Sequence, residues 1–278
     1  MSEWRLHQGT YTAAENLGID DFLIEKTAET GQKYLRLYDF ENPAVILARN
    51  EHTSDLESLK ENHDYTRRDT GGSVIYCGEN GLFYSIVMPA EENDYPENLH
   101  QDYFGPKIAE ALNRLGVEEE RLGVGEHFSV RINGYTIAGH AQRKKNGAIL
   151  YHGVLAVEPW DVEKLDELIN LRERDGQKEK HFIESLPALR EYVNYSGDEI
   201  REATKEQIIE SFTNGDYTDY RLSGEERKKV MSLVEDRYND PDWFNSAHGS
   251  DSLKNDQGFC FVDWTDEWEE EVREYRFY

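Results

Sequence analysis

Residues 128–143 read Phe128-Ser129-Val130-Arg131-Ile132-Asn133-Gly134-Tyr135-Thr136-Ile137-Ala138-Gly139-His140-Ala141-Gln142-Arg143. Asn133-Gly134 is the strongest two-residue hairpin signal, because both turn residues need positive φ. Phe128–Ile132 and Tyr135–Ala138 are therefore expected as antiparallel strands. A two-residue turn pairs Ile132 with Tyr135 and Arg131 with Thr136. Simple alternation then puts Ser129, Arg131, Thr136 and Ala138 on one face. The small residues Ala138, Gly139 and Ala141 leave room beside the backbone for a ligand. Taken alone, they better suit an ordinary hairpin whose glycine packs on a neighbouring strand.

Working outward, Ala148–Val157 predicts a further strand carrying Tyr151-His152-Gly153-Val154-Leu155. Upstream, residues 14–29 predict a helix with Leu17, Phe22, Leu23 and Ile24 in the core. Tyr34–Tyr38 and Ala44–Ala48 predict strands, and Thr53 or Ser54 can cap a short helix through Leu59. Ser73–Tyr76 and Leu82–Met88 read as a strand pair about the turn Gly78-Glu79-Asn80-Gly81. Helices are expected over Leu99–Leu115 and Asp161–Leu171. Three hydroxyl residues stand three before a Glu or Gln (Ser196 with Glu199, Thr204 with Gln207, Ser223 with Glu226), which predicts capped helices in the second half. Gly258–Trp264 reads as a strand, followed by the acidic stretch Glu267–Glu274. Strands come first and helices later, without strict alternation, so the fold class is α+β, with a mixed, largely antiparallel central sheet flanked by helices.

The 278 residues suit one large domain, and 37% hydrophobic content supports a core. Fifty-seven acidic against 31 basic residues give a net charge of −26. Either this is an acidic partner-binding surface, or a solvated shell suited to a salt-rich cytoplasm. The acids are spread along the whole chain, which favours the halophilic shell. Such charge repels nucleic acid. No apolar run reaches membrane-spanning length, and Met1-Ser2-Glu3-Trp4-Arg5 does not read as a secretory signal, so no membrane and a cytoplasmic location are expected. Cys77 and Cys260 form neither a disulfide framework nor a zinc cluster.

The second motif is Arg67-Arg68-Asp69-Thr70-Gly71-Gly72-Ser73-Val74-Ile75-Tyr76. Two cations precede two glycines that permit close backbone approach to a ligand, the makings of a carboxylate or phosphate site. The competing reading is a tight turn with a surface arginine pair.

Together and in this order, the two motifs resemble the lipoate–protein ligases, relatives of the biotin ligases. That family carries an Arg-Arg-x-Ser/Thr-Gly-Gly-Gly loop, a hairpin ending Gly-x-Lys-Ile-Ser/Ala-Gly-x-Ala-Gln, and a His-Gly strand. Asn16-Leu17-Gly18-Ile19-Asp20-Asp21 and Leu35-Arg36-Leu37-Tyr38 agree as well, and the similarity spans roughly residues 4–244. The resemblance implies a biotin/lipoate ligase-like catalytic domain over residues 1–247, with a short acidic extension over 248–278. It implies ATP-dependent activation of lipoate (or octanoate) to lipoyl-AMP, with Mg²⁺ assisting. The acyl group would then pass to a lysine of a lipoyl carrier domain, in 2-oxoacid dehydrogenase complexes or the glycine cleavage H protein. Arg68 would contact the phosphate or carboxylate end, and Gly71, Gly72, Ser73, Val74, Ile75 and Tyr76 would line the adenylate. Gly139, His140, Ala141, His152 and Gly153 would form the acyl pocket, where burial contributes about 0.8 kcal/mol per methylene. His140 could equally be a satisfied structural histidine, and Cys77 reads as a buried core thiol. No metal ligand is identified.

The chain departs from the pattern at its centre. Thr136 replaces the family lysine that bridges carboxyl and phosphate, Ser129 replaces an aspartate, and Ser73 replaces the third glycine. One reading is that Arg131, across from Thr136, supplies the cation, making Arg131 and Thr136 the catalytic pair; Arg143, Lys144 and Lys145 are less direct substitutes. The other is that a charge-assisted bond of about 1.5–3 kcal/mol is lost. Three functions follow: ATP-dependent lipoate ligation, ATP-independent octanoyl or lipoyl transfer between carrier proteins, or non-catalytic binding of lipoyl groups or carriers. Some octanoyl transferases of the superfamily use a Cys acyl-enzyme; relatives of that type keep a lysine at the place of Thr136, and no Cys stands at their nucleophile position here. The accessory domain that many ligases carry is not evident, so a separate accessory subunit is one expectation.

Overall fold

A computed structural model describes residues 4–49, 64–72, 74–90, 98–125, 128–160 and 187–245. The expected helices over 53–59 and 161–171, Ser73, the C-terminal strand and the extension boundary lie outside these residues.

An eight-stranded sheet runs in the order β11-β1-β2-β6-β10-β9-β8-β7. Its strands are β1 (Trp4–Tyr11), β2 (Lys33–Phe40), β6 (Gly81–Pro89), β7 (Leu122–Gly125), β8 (Ser129–Ile132), β9 (Tyr135–Lys145), β10 (Ala148–Ala156) and β11 (Tyr217–Asp219). Only the β11-β1-β2 contacts are parallel; the rest are antiparallel, so the α+β expectation holds. A second sheet, β4-β3-β5, comprises β3 (Ala44–Leu47), β4 (Asp64–Arg67) and β5 (Ile75–Cys77). The strand pair expected between Ser73–Tyr76 and Leu82–Met88 is thus corrected: β5 pairs with β3, placing Tyr76 opposite Val45, while β6 lies in the large sheet between β2 and β10.

Among the described residues, five α-helices pack on these sheets: α1 (Ala13–Thr30), α2 (Gly105–Arg114), α3 (Glu199–Thr213), α4 (Gly224–Leu233) and α5 (Pro241–Asn245). A π turn, His100–Phe104, leads into α2, and another, Val234–Tyr238, follows α4. Alternation along the central strands separates two cores. Leu82, Tyr84, Ile86, Tyr151 and Leu155 pack with α2 and α3 on one face. Phe83, Val87, Ala148 and Leu150 pack with α1, the small sheet and α4 on the other. Ser223 and Glu226 form the expected capping box, but Thr204 lies inside α3, where its hydroxyl donates to Ile200 O at 2.6 Å. Ser196 Oγ meets Glu199 Oε2, but Ser196 stands two residues before the Asp198 N-cap of α3.

Asn133 and Gly134 take φ of 53° and 82°, as the hairpin turn requires. Arg131 pairs with Thr136, but Val130 pairs with Ala138, so Ile137 is an extra residue in β9. This bulge reverses the alternation beyond it. Thr136 shares a face with Arg131, Ser129 and Gly139, whereas Ala138 turns with Val130 into the α2 core; simple alternation had placed Ala138 with Thr136.

Candidate active site

Two oppositely charged residues in apolar surroundings establish the site. Arg36 of β2 is fully buried and Asp20 of α1 is 2% exposed. Their side chains pair directly, and Arg36 Nη1 and Nη2 donate to Asn16 O at 3.1 Å and Asn16 Oδ1 at 3.0 Å. Asn16 and Asp20 are four apart, so one face of α1 carries both. Ser85 Oγ donates to Asp20 Oδ1 at 2.7 Å, and His152 Nδ1 lies 3.3 Å from Asp20 Oδ2. Burial raises the Asp20 pKa, but Arg36 and the bonds from His152 and Ser85 outweigh it and hold the carboxyl below its usual range. An ionised carboxylate only accepts, so His152 carries its proton on Nδ1. Nε2 is left as acceptor, and the Thr70 hydroxyl lies 2.8 Å from it.

Thr70 comes from the arginine–glycine loop. Arg67 and Arg68 are 0% and 3% exposed, which removes the reading of a surface pair. Arg67 Nη1 donates to Ala48 O at 2.6 Å, and its Nε and Nη2 donate to Phe244 O. Arg68 Nη2 donates to Gly71 O at 2.7 Å. Gly72 has φ of 98°, a conformation that favours glycine, and a Cβ there would approach Arg68 Nη2 to 3.0 Å. Val74 and Ile75 are half-buried and Tyr76 is buried beyond this turn.

Asp20, Asp21, Arg68, Thr70, Arg143 and His152 line a recess of about 10 Å³, also bounded by Leu17, Asp69, Leu150 and Tyr238. It admits one small group, not an eight-carbon chain. Gly139 and Ala141 lie on the His152 side, and a Cβ on Gly139 would meet nothing within 4 Å.

The sheet divides the expected acyl pocket. His140 pairs with Gly153 on the opposite face, where a Cβ on Gly153 would sit 2.3 Å from the His140 ring. His140 Nδ1–H donates to Phe128 O at 2.9 Å, and Tyr84 OH donates to Nε2. His140 is therefore a satisfied structural histidine. Burial, then neighbouring His100, lower its pKa to about 3; burial and Arg36 lower that of His7 to about 4. Both depressed values lie below the unfolded value near 6.5, so this contribution is complete above pH 6.5 and is lost as pH falls toward 3–4. Each histidine should cost about 2 kcal/mol by pH 5. Urea midpoints in high salt should fall between pH 7.5 and 5; equal midpoints would contradict the burial.

The two candidate cations also separate. Arg131 Nε donates to Ser129 Oγ at 3.2 Å, and Arg131 lines an outer cleft of about 500 Å³ with Glu120, Arg121 and β7. Arg143 reaches the arginine–glycine loop instead: it pairs with the Asp69 carboxylate, and its Nη1 donates to Asp69 O at 3.2 Å. Arg237 lies 3.0 Å from Asp69 and 2.7 Å from Asp21, while Arg49 is 3.4 Å from Asp69 and Lys145 is 3.7 Å from Asp21. With Arg36 and Arg68, six cations gather about Asp20, Asp21 and Asp69 in a chain of net charge −26. This is suited to an anionic group. Among the described residues no group of three His, Cys, Asp or Glu could hold a metal ion. No helix among the described residues is long and apolar enough to cross a membrane.

Residues 12–214 match the lipoyl protein ligase A/B catalytic domain family. The chain belongs to that family. Octanoyltransferase LipM of Clostridioides difficile is 31% identical over 268 residues, covering 84% of this chain and 96% of that protein. Lipoate-protein ligase LplJ of Bacillus subtilis is 24% identical, covering 82% and 69%. In fold, the chain is similar to a bipartite lipoate protein ligase of Thermoplasma acidophilum at TM-score 0.72 and 21% identity, covering 88% of this chain and 97% of that one. As a member of this lipoyl ligase and octanoyltransferase family, the chain is an enzyme of protein lipoylation.

Asp20, Arg36 and Arg237 do not stand out as site residues in the sequence, and Thr70 is read there only as part of the arginine–glycine loop. For the first two, the signal was an acid on an apolar helix and an arginine inside the apolar strand Tyr34-Leu35-Arg36-Leu37-Tyr38.

Proposed function

We propose that this enzyme transfers an octanoyl or lipoyl group from an acylated carrier protein to a lysine of a lipoyl carrier domain, without ATP. The observation that carries this reading is the hairpin. Thr136 stands where the ligase pattern has its phosphate-bridging lysine, and its cross-strand partner Arg131 lines the outer cleft rather than the His152 recess. A thioester donor arrives already activated, so the loss of a phosphate-contacting lysine matters less. The length-spanning similarity to octanoyltransferases supports the same choice. Acceptors would be the lipoyl domains of 2-oxoacid dehydrogenase complexes or the glycine cleavage H protein, whose lysine amine attacks the acyl carbonyl.

A second reading, lipoate ligation through lipoyl-AMP with ATP and Mg²⁺, is favoured by one feature. Arg143 joins Arg68 at the recess and could meet a phosphate there. Incubating the full chain in high salt with an acceptor lipoyl domain separates the two. Acceptor mass gain from an octanoylated carrier alone supports transfer, and gain only with ATP and lipoate supports ligation. Arg131→Ala should retain transfer within about threefold, less than 1 kcal/mol. A loss of about one to two decades would reinstate Arg131 as the relocated cation.

A further inference from the structure

We infer that Thr70 Oγ is the acyl-accepting nucleophile of a Thr70–His152–Asp20 relay, so that transfer proceeds through an acyl-threonine ester on the enzyme; this rests on the transferase reading above. The geometry is that of a hydroxyl, a base and an orienting carboxylate in line. Thr70 Oγ lies 2.8 Å from His152 Nε2, and His152 Nδ1 lies 3.3 Å from Asp20 Oδ2. A hydroxyl is a weak nucleophile unless an adjacent base takes its proton and a third group fixes that base. All three side chains are buried, at 3%, 7% and 2% exposure, and all line the recess. Asp20 is itself locked by Ser85 and Arg36, which fixes the tautomer in which Nε2 can accept the proton.

Thiol chemistry has no comparable support among the described residues. Cys77 is 1% exposed, and burial, partly offset by Arg68, pushes its thiol pKa up, away from the thiolate. It lies on β5, paired with Ala44 of β3, rather than on the recess.

The steps balance with a thioester donor. His152 Nε2 takes the Thr70 proton as Oγ attacks the acyl carbonyl. The carbon–sulfur bond breaks, and the carrier thiolate leaves with the proton from His152. The lysine amine of the acceptor then attacks the ester. His152 accepts the amine proton and returns it to Thr70 Oγ, leaving an amide on the acceptor and free threonine. Asp20 and Ser85 are positioning residues in this scheme.

The test incubates the full chain in high salt with an octanoylated carrier protein, without and then with an acceptor lipoyl domain. Intact mass should show one octanoyl group on the enzyme without acceptor, mapped to Thr70 and released by hydroxylamine. Thr70→Ala and the isosteric Thr70→Val should lose the adduct and slow transfer by about 10³-fold or more. Thr70→Ser should keep both, which a purely packing role for the threonine methyl would not produce. Cys77→Ala should leave adduct and transfer unchanged. Undiminished transfer by Thr70→Ala, or an adduct at another residue, overturns the nucleophile while transfer itself stands. Absence of both adduct and transfer in the unaltered enzyme, with labelling by ATP and lipoate, overturns the transferase reading and the nucleophile together.

Discussion

Replacing Asp20 with alanine is expected to lower the unfolding free energy by about 3–5 kcal/mol, a large part of the roughly 5–15 kcal/mol typical of a folded protein. The cause is the partner left behind. Arg36 is fully buried, and its hydrogen bonds to the backbone and side-chain oxygens of Asn16 bring no counter-charge. A guanidinium so placed cannot escape by losing its proton, so the uncompensated cation must be hydrated by local opening of α1 or of the sheet. Ser85 and His152 lose an acceptor at the same time. Urea denaturation in high salt measures the effect, and Asp20→Ala with Arg36→Met should recover much of it, because a matched apolar pair removes both charges. A single-variant cost below about 1 kcal/mol would show that Asp20 is not the counter-charge the fold depends on. The pH dependence has a definite sign. A depressed carboxyl pKa contributes stability that is complete above the unfolded value near 4 and lost as pH falls through the folded value, so the variant should lack that component of acid sensitivity.

That ion pair also shows where reading the sequence stops. The turn at Asn133-Gly134 is legible because backbone sterics act within two residues, and it takes φ of 53° and 82°. The bulge at Ile137 is not legible: one inserted residue leaves composition and apolar pattern intact, yet decides that Ala138 faces the α2 core and Thr136 does not. Pairing of β5 with β3 is hidden for a related reason. The nearby turn at Gly78–Gly81 favours a local hairpin, while the contact actually made joins residues some thirty positions apart, Ala44 with Cys77. His152 was visible through its motif, but its orienting partner comes from α1, 132 positions away in the chain. The division of His140 from His152 follows from strand alternation once β10 is in register with β9. Arg143 over Arg131 depends on the same register: Arg143 pairs opposite Leu150, beside the arginine–glycine loop, and Arg131 opposite Thr136 at the far end of β9.

His152→Ala is expected to slow acyl transfer by about 10²–10⁴-fold, the usual contribution of a positioned general base, while leaving the chain folded. The two consequences separate because the ring's partners differ from those of Arg36. Asp20 keeps Arg36 and Ser85 when the imidazole is removed, so no buried charge is stranded. What disappears is the acceptor 2.8 Å from the Thr70 hydroxyl and the group that shuttles a proton at the recess. Losses from residues that act as one unit do not add. Thr70→Ala combined with His152→Ala should therefore be about as slow as the slower single variant, rather than the product of the two. A multiplicative double variant would mean that Thr70 and His152 act separately, His152 on the acceptor amine and Thr70 on the acyl group. Near-normal transfer by His152→Ala would remove the imidazole from the chemistry altogether and return the recess to a binding role centred on Arg68 and Arg143. Single-turnover transfer with saturating octanoylated carrier reads the chemical step directly, apart from product release, and that step is where a proton-transferring group must show its loss.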